Sequence, residues 1–338
     1  MSFAGILESL IAGETLTSEK AENVMNQLMD GELHDAQIGA VLVLIRQRGA
    51  TPAELAGFAK AMREHAVAVK YDGKDLIDTC GTGGGSPSFN LSTAAALMAA
   101  GAGAKVAKHG NRKVTGSCGS ADVLEALGVK LGGDEAHMKR ALDEAGVTFL
   151  FAPAHHPAMK HAGPVRQALG VRTVFNQLGP LANPAGAQKQ LIGVFDAGLL
   201  RPMAEALREL GSQRAFVVHG RDGLDEVSPR DVTDYAYLEG DHIRAGSFSP
   251  KDFGIDPVKD KALQAGEDAE ENGKILMEAI CDADSPRFEA ALPNAAVALM
   301  LAELAGEPAE AAEKVREAVK KGEPKRTLQK LAEVTQSP

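Results

Sequence analysis

Two glycine-rich loops each lie between a short apolar run and a helix, and this repeated order restricts the possible folds more than any other feature of the sequence. The first loop follows residues 75–78 and leads to a helix predicted from about Thr93. The second follows residues 105–108 and leads to a helix predicted over 122–127. Further strands are predicted over 147–151 and 215–218. Such alternation indicates a mainly parallel sheet flanked by helices, which binds ligands beyond the carboxyl ends of its strands.

The first seventy residues are predicted to be helical, with apolar residues at helical spacing over 6–11 and 38–45. Thr51-Pro-Ala-Glu54 combines a capping residue, proline at the first helical position and glutamate at the third, which is typical of a helix start. No strand pattern occurs before Lys70. Later in the chain a hairpin is predicted to turn at 239–241, and the tail from Pro308 is predicted to be helical.

The composition excludes several classes of function. The net charge of −10 over 338 residues opposes sequence-independent nucleic-acid binding, which depends on many Lys and Arg contacts to phosphates. The three cysteines form no CxxC pair and favour thiols in a reducing compartment. The N-terminus lacks the basic region of a signal peptide, and the longest small-apolar stretch, 94–107, is too short to span a membrane. We therefore expect a cytoplasmic protein with neither membrane nor nucleic-acid partners.

The first loop, residues 80–93, suits a phosphate group. Its glycines at 81, 83, 84 and 85 can turn backbone N–H groups toward one concavity. Ser92 and Thr93 lie where the helix should begin, which adds unpaired N–H groups and a favourable dipole. A flexible turn is the alternative interpretation. Neither the dinucleotide-binding nor the Walker A pattern matches, because Ser86 replaces the third glycine of the former and no Gly-Lys-Ser/Thr follows.

The second loop, residues 108–122, places Lys108, Arg112 and Lys113 at the end of a predicted strand. Such crowding of cations in an acidic protein indicates an anion site, with a solvated basic turn as the alternative. Two phosphate-type loops after two strands favour the functional interpretation.

Residues farther along the chain suggest a metal and a carboxylate ligand. Asp225 and Glu226 are adjacent oxygen donors on a predicted loop, and magnesium is usually held by one or two carboxylates together with substrate phosphates. Adjacent acids are common on surfaces, so this pair is weak evidence by itself. His155 and His156 are interpreted as a pocket wall, since adjacent histidines rarely bind one ion. Arg166, on a predicted helix, offers a planar fork suited to a carboxylate.

Together, the runs CGTGG, FNLST, KHGNR, GSADVLEALG, HHPAM, LGPLANP and DGLDE resemble the anthranilate phosphoribosyltransferase family over nearly the whole chain. KHGNR with GSAD and DGLDE is specific, whereas GTGG is shared with pyrimidine nucleoside phosphorylases. The resemblance implies an α/β fold of the nucleoside phosphorylase/phosphoribosyltransferase type. It comprises a small all-helical domain, residues 1–72 with 164–184, and a larger domain with a mainly parallel central sheet, residues 73–163 with 185–338. It also implies a homodimer joined through the helical domain.

The activity implied is transfer of the phosphoribosyl group of phosphoribosyl pyrophosphate (PRPP) to anthranilate in tryptophan biosynthesis, giving N-(5-phosphoribosyl)anthranilate and pyrophosphate with Mg²⁺ as cofactor. No nucleophile or essential base is expected, because the amine of anthranilate is already a neutral nucleophile. The PRPP-binding residues implied are Gly81, Gly84, Gly85, Asn90, Leu91, Ser92, Thr93, Lys108, Asn111, Arg112, Gly116 and Ser120. Those implied for anthranilate are Gly81, His109, Asn111 and Arg166, and those for the metal are Ser92, Asp225 and Glu226.

The sequence departs from the family pattern at two positions. Gly85 stands where an aspartate usually follows the GTGG run, and Ser117 replaces a frequent lysine in the second loop. Both changes concern pyrophosphate and metal handling. Two other functions stay open on the sequence: a pyrimidine nucleoside phosphorylase, opposed by KHGNR and DGLDE, and a nucleic-acid-binding relative of the same fold, opposed by the acidic balance and the Asp225–Glu226 pair.

Overall fold

A seven-stranded sheet forms the centre of the larger part of the molecule. The computed structural model describes residues 2–73, 75–112 and 118–337. The strands are β1 (Leu76–Gly81), β2 (Lys105–Gly110), β3 (Val147–Phe151), β4 (Lys189–Gly193), β5 (Arg214–Gly220), β6 (Thr233–Glu239) and β7 (His242–Phe248). Their order is β3-β2-β1-β4-β5-β6-β7, parallel from β3 to β5 and antiparallel from β5 to β7. The predicted mainly parallel sheet and the hairpin are confirmed.

Helices surround the sheet and form the N-terminal part of the chain. They are α1 (Phe3–Ile11), α2 (Ser18–Met29), α3 (Asp35–Arg48), α4 (Pro52–Glu64), α5 (Leu91–Gly101), α6 (Ser120–Ala126), α7 (Glu135–Ala145), α8 (Ala152–His155), α9 (Gly163–Leu169), α10 (Phe175–Leu181), α11 (Leu200–Glu209), α12 (Ala269–Cys281), α13 (Pro286–Leu301), α14 (Pro308–Lys320) and α15 (Glu323–Gln336). The predicted helical tail is the α14–α15 pair. No helix formed by the described residues has the length and apolar character needed to cross a membrane.

The predicted helix start at Thr51 is confirmed. The hydroxyl of Thr51 accepts a hydrogen bond from the Glu54 N–H, and the Glu54 carboxylate accepts one from the Thr51 N–H at 2.9 Å. The same carboxylate is fully buried, pairs with Arg48 and accepts the N–H of Leu16 at 2.8 Å. Glu54 therefore also ties α4 to the end of α3 and to the loop before α2.

One central strand, β4, was missing from the sequence prediction. Its run begins with Lys189 and Gln190, two polar residues that are nevertheless buried. Lys189 pairs with Asp75 at 2.6 Å and Glu303 at 2.5 Å, and the Gln190 amide donates to the Pro180 carbonyl at 2.8 Å. Because its first two residues are polar, the run lacks the apolar pattern that identifies a buried strand.

The two faces of the sheet pack against different layers. Ile77 and Phe216 lie in a buried cluster with residues of α5 and α13. Ile192 and Val217, on the opposite face, lie in a cluster that includes α11 and the N-terminal helices. The helical layer therefore shares one apolar core with a face of the sheet.

The segment that carries α9 and α10 belongs to this helical layer, although it lies between β3 and β4 in sequence. Helix α9 packs on α3 and α10 packs on α4. Val165, Phe175 and Leu178 are buried in the same cluster as the side chains of α2 to α4. The crossover from β3 to β4 thus brings the helical layer to the carboxyl ends of the strands. The limits of the two domains stay a prediction.

Candidate active site

Three loops meet at the carboxyl edge of the sheet. They follow β1 (residues 82–90), β2 (described at 111–112 and 118–119) and β5 (221–232). The Ser86 N–H donates to the Gly223 carbonyl at 2.8 Å, which joins the first loop to the third. The Asn90 amide donates to the Cys118 carbonyl at 3.2 Å, which joins the first loop to the second. Strand β1 has β2 on one side and β4 on the other, so the order of the strands reverses its direction at β1. Such a reversal creates a crevice for a ligand at the carboxyl ends of the strands.

The glycine-rich loop lies directly against Asp225. Gly83 and Gly84 have φ of +68° and +88°, values that L side chains rarely adopt. The N–H groups of Gly83 and Gly85 hydrogen-bond the Asp225 carboxylate. A Cβ added at Gly85 would lie 2.5 Å from the Asp225 Oδ1, and one at Gly193 would overlap the Asp225 carbonyl oxygen. Glycine is therefore required on both sides of Asp225.

Lys108, Ser92 and Glu226 form the polar centre of the site. The buried Lys108 ammonium donates to the Ser92 hydroxyl at 3.1 Å and to the Thr79 carbonyl, while Glu226 accepts the Ser92 N–H at the start of α5. Burial, and then the neighbouring Asp225, raise the pKa of Glu226 to about 8. Burial lowers the pKa of Lys108, although Asp78, Cys80 and Glu226 oppose the shift. A buried cation and acids with raised pKa values are typical of a functional site.

The donors fit magnesium shared with a phosphate ligand. Asp225 and Glu226 supply two adjacent carboxylates and Ser92 a hydroxyl, all oxygen atoms of the kind magnesium prefers. Burial raises the pKa of Asp225 as well. The positive charges nearby therefore do not offset the cost of burying two ionised carboxylates. Across the described residues, no group of three or more His, Cys, Asp or Glu could hold a metal. Protein atoms would complete only part of the coordination, leaving positions for phosphate and water.

The second loop is described only in part. The Ser120 hydroxyl donates to the Asn111 carbonyl at 3.2 Å, so both residues lie where the loop leaves and re-enters regular structure. The Arg112 guanidinium pairs with Asp122 at 3.2 Å and with Glu125. The predicted PRPP-binding Gly116 and the departure at Ser117 lie outside the described residues, as does Lys113.

Two buried histidines line the side of the site that faces α10. The His109 Nδ1 lies 3.1 Å from the Gly179 carbonyl oxygen, and its ring centroid lies 5.2 Å from that of His156. Burial lowers the pKa of His109 to about 3 and that of His156 to about 4, so both rings are neutral at pH 7. Asp78 fixes the backbone here, because it accepts the His109 N–H at 3.1 Å and the Asn183 amide at 2.7 Å. The pocket wall predicted for His155 and His156 stays a prediction.

Comparison with known proteins agrees with this arrangement. The family model described as the glycosyl transferase family a/b domain matches residues 73–325, and the helical bundle domain of the same family matches residues 4–66. The anthranilate phosphoribosyltransferase of Herpetosiphon aurantiacus is 46% identical over 323 residues, covering 95% of both chains. That of Methanothermobacter marburgensis is 44% identical and both chains are covered completely. This chain belongs to the anthranilate phosphoribosyltransferase family.

Solved structures of the family share the fold. The anthranilate phosphoribosyltransferase of Thermus thermophilus superimposes with a TM-score of 0.90 at 39% identity, covering 98% of this chain and 99% of that one. The Saccharomyces cerevisiae enzyme in complex with PRPP and Mg gives 0.89 at 26% identity, covering 99% and 98%. The predicted α/β fold with a small helical part is therefore confirmed.

The start of α5 holds four of the predicted PRPP-binding residues of this anthranilate phosphoribosyltransferase family member. Ser92 is partly exposed and bonded to Lys108, whereas Leu91 and Thr93 are buried. The Leu91 side chain lies in the apolar core, so this residue offers only its backbone to a ligand. The Asn90 Oδ1 and Thr93 Oγ1 are buried without a hydrogen-bond partner among the described residues. The assignments of these residues stay predictions.

The predicted anthranilate-binding Arg166 lies on α9, in the helical layer. Its guanidinium lies 5.0 Å from the centroid of the Phe175 ring, and burial lowers its pKa. Arg166 and the glycine-rich loop belong to different layers of this chain. The assignment of Arg166 to anthranilate stays a prediction.

Sequence reasoning missed Arg172, Asp78 and Asn183. The Arg172 guanidinium donates to the Gly84 carbonyl at 2.7 Å, and the Asn183 amide connects Asp78 to the Ala107 carbonyl, the latter at 2.9 Å. Each contact joins residues far apart in sequence. No local pattern indicates such contacts.

Proposed function

We propose that this chain transfers the phosphoribosyl group of PRPP to anthranilate, giving N-(5-phosphoribosyl)anthranilate and pyrophosphate in tryptophan biosynthesis. One observation carries the proposal. Lys108, Ser92 and Glu226 meet beside the glycine-rich loop at the carboxyl edge of the sheet, where β1 has β2 on one side and β4 on the other. Full-length identity to family members supports the choice of substrates.

The residues of this chain bind and orient the substrates, and none of them needs to form a covalent bond. The amine nitrogen of anthranilate attacks C1 of PRPP, the C1–O bond to pyrophosphate breaks with its electron pair, and the amine loses a proton. Loop N–H groups and the Lys108 ammonium stabilise the charge that grows on pyrophosphate. The neutral His109 and His156 rings form an uncharged wall that excludes water near the helical layer.

Ser92, Asp225 and Glu226 would hold magnesium, which supplies positive charge to the departing pyrophosphate. Gly81, Gly84, Gly85, Asn90, Asn111 and Ser120 border the same crevice and would complete the PRPP site. Arg166, with Asn111 and His109, would bind anthranilate through its carboxylate. Arg112 pairs with Asp122 and Glu125. These ion pairs would have to break before its guanidinium could bind PRPP.

The first experiment measures the loss of anthranilate fluorescence when PRPP and magnesium are added to the purified chain. We expect one pyrophosphate released per anthranilate consumed, and no turnover with a chelator. Thymidine with inorganic phosphate serves as the control for phosphorolysis. Phosphorolysis of thymidine without anthranilate turnover would assign the chain to the alternative activity.

A double variant tests the metal site. Asp225→Ala with Glu226→Ala should lower turnover by about 10²–10³, the usual effect of losing a preorganised electrostatic stabiliser. Glu313→Ala with Glu317→Ala, two exposed acids on α14, is the matched control. Near-normal turnover of the first variant at ordinary magnesium concentrations would remove both residues from the mechanism.

The assembly is also a proposal. We propose a cytoplasmic homodimer joined through the helical domain, residues 1–72 with 164–184, with the α/β domain formed by 73–163 and 185–338. Ile11 on α1 and Val43 on α3 support the dimer, because these large apolar side chains are 65% and 44% exposed on neighbouring helices. The three cysteines, all within the described residues, form no disulfide, which suits a reducing compartment.

A further inference from the structure

Arg172 connects the helical layer to the glycine-rich loop. It lies in the short link between α9 and α10, where Arg46 donates to its carbonyl oxygen and the next residue, Thr173, donates its N–H to the Asn176 side chain at 3.0 Å. Its backbone is thus held by the helical layer. Its side chain leaves that layer and donates from Nη2 to the Gly84 carbonyl oxygen at 2.7 Å.

The guanidinium is held in a defined orientation by a second contact. Its central carbon lies 4.4 Å from the centroid of the Phe195 ring, just beyond the end of β4. The positive charge of Arg172 also lies close enough to the Asp225 carboxylate to attract it. Stacking and a directed hydrogen bond together need the planar fork of arginine, which lysine lacks.

The bonded carbonyl determines where a neighbouring N–H group points. The Gly84 carbonyl and the Gly85 N–H belong to one peptide unit, and in a trans peptide they point in opposite directions. Since Arg172 holds the carbonyl on one side, the N–H of Gly85 faces the Asp225 carboxylate on the other. Glycine at both positions leaves this peptide unit free to rotate unless something holds it.

We propose that Arg172 is a positioning residue that orients the Gly84–Gly85 peptide so that its N–H holds the Asp225 carboxylate in place at the pyrophosphate end of the PRPP site. The inference rests on the proposed function, because it takes PRPP as the ligand. Arg172 also couples the helical layer to the glycine-rich loop, because its side chain connects the two. Arg172 is exposed to solvent, so its contacts contribute little to the stability of the fold.

Steady-state kinetics and pyrophosphate binding test this role in Arg172→Ala and Arg172→Lys. We expect the KM for PRPP and the Kd for magnesium pyrophosphate, measured by calorimetry, to rise about tenfold in Arg172→Ala, because a charge-assisted hydrogen bond is lost. The KM for anthranilate and the melting temperature should stay at the wild-type values. Arg172→Lys should recover only a small part of the affinity, and added guanidinium ion should restore part of it to Arg172→Ala.

Arg201→Ala is the matched control, because this exposed arginine pairs with Glu205 on its own helix, α11, which carries none of the predicted site residues. It should behave as wild type. An unchanged KM for PRPP in Arg172→Ala would overturn the inference, as would an equal rise in both KM values with a lower melting temperature. Calorimetry separates this result from the proposed function: loss of pyrophosphate binding in Arg172→Ala supports the inference even if the wild type fails to consume anthranilate.

Discussion

Gly85 illustrates how strictly a single position is determined in this site. The family resemblance implies an aspartate here, yet a Cβ at this position would lie 2.5 Å from Asp225 Oδ1 and 2.6 Å from the Asp225 backbone nitrogen. In this chain, the place of the missing side chain is therefore taken by Asp225. The sequence identified the departure, but not the close approach that explains it.

We predict that Gly85→Ala lowers the affinity for PRPP at every magnesium concentration, since either the loop or the Asp225 carboxylate must move. Initial rates measured over a grid of PRPP and magnesium concentrations would show the loss. Gly163→Ala is the matched control, because a Cβ there meets nothing within 4 Å. An unchanged PRPP affinity in Gly85→Ala would mean that the loop adopts a different arrangement when substrate binds.

Arg166 should bind anthranilate rather than PRPP. We predict that Arg166→Ala raises the KM for anthranilate about tenfold or more, because a hydrogen bond to a charged group contributes roughly 1.5–3 kcal/mol. The KM for PRPP should change little. The contrary result, equal loss of both substrates together with reduced thermal stability, would assign Arg166 a packing role over Phe175.

The sequence predicted residues whose significance depends on local pattern, and missed those that depend on tertiary contacts. Asp225 and Glu226 follow β5 and Lys108 lies near the end of β2, and the carboxyl ends of parallel strands meet at one edge. Arg172 precedes a helix of another layer, and only the packing of that layer brings its side chain to Gly84. Distances of this kind cannot be derived from spacing along the chain.

At the scale of elements, the end of β2 packs against the segment that follows α8 through two neutral histidines. The pKa of His109 is lowered to about 3 and that of His156 to about 4, from an ordinary value of 6.5, mainly by burial. His155 and Lys108 nearby oppose protonation of these rings as well. The unfolded chain therefore binds protons below about pH 6.5 that the folded chain does not bind.

It follows that the free energy of unfolding should fall as the pH is lowered from 7 toward 4, by up to about 1.4 kcal/mol per pH unit for each histidine. Denaturant titrations of the wild type and His156→Gln at pH 7 and pH 5 test this. The decrease between the two pH values should be smaller in the variant by about 1–2 kcal/mol. An identical decrease would show that His156 is protonated in the folded protein.

Strand β4 shows why element prediction failed at one place. Strands β1, β2, β3 and β5 contain recognisable apolar runs, whereas two of the five residues of β4 are Lys189 and Gln190. Lys189 is paired with Asp75 and Glu303, and the Gln190 amide nitrogen donates to the carbonyl of Pro180, which lowers the cost of burying them. The mainly parallel sheet was predicted, but β4, the strand that completes the crevice, was not.

For the whole molecule, we predict that Val43→Glu gives a monomer at concentrations where the wild type is a dimer. A carboxylate placed in an apolar interface would lose its hydration without a partner. Light scattering coupled to size-exclusion chromatography measures the mass directly. Leu304→Glu, an exposed apolar position after α13, is the control and should stay dimeric. A monomeric wild type would remove the dimer from the proposal.

The position of α9 and α10 in the sequence has a consequence for synthesis on the ribosome. Helices α2 to α4 share their core with Val165, Phe175 and Leu178, the last of which lies 114 residues after Glu64 at the end of α4. At about 5–20 residues per second, the ribosome would need roughly 6–23 s to reach it. During this interval the apolar faces of the first helices are exposed to solvent, and a nascent chain stalled before residue 181 is the species that chaperones should bind most strongly.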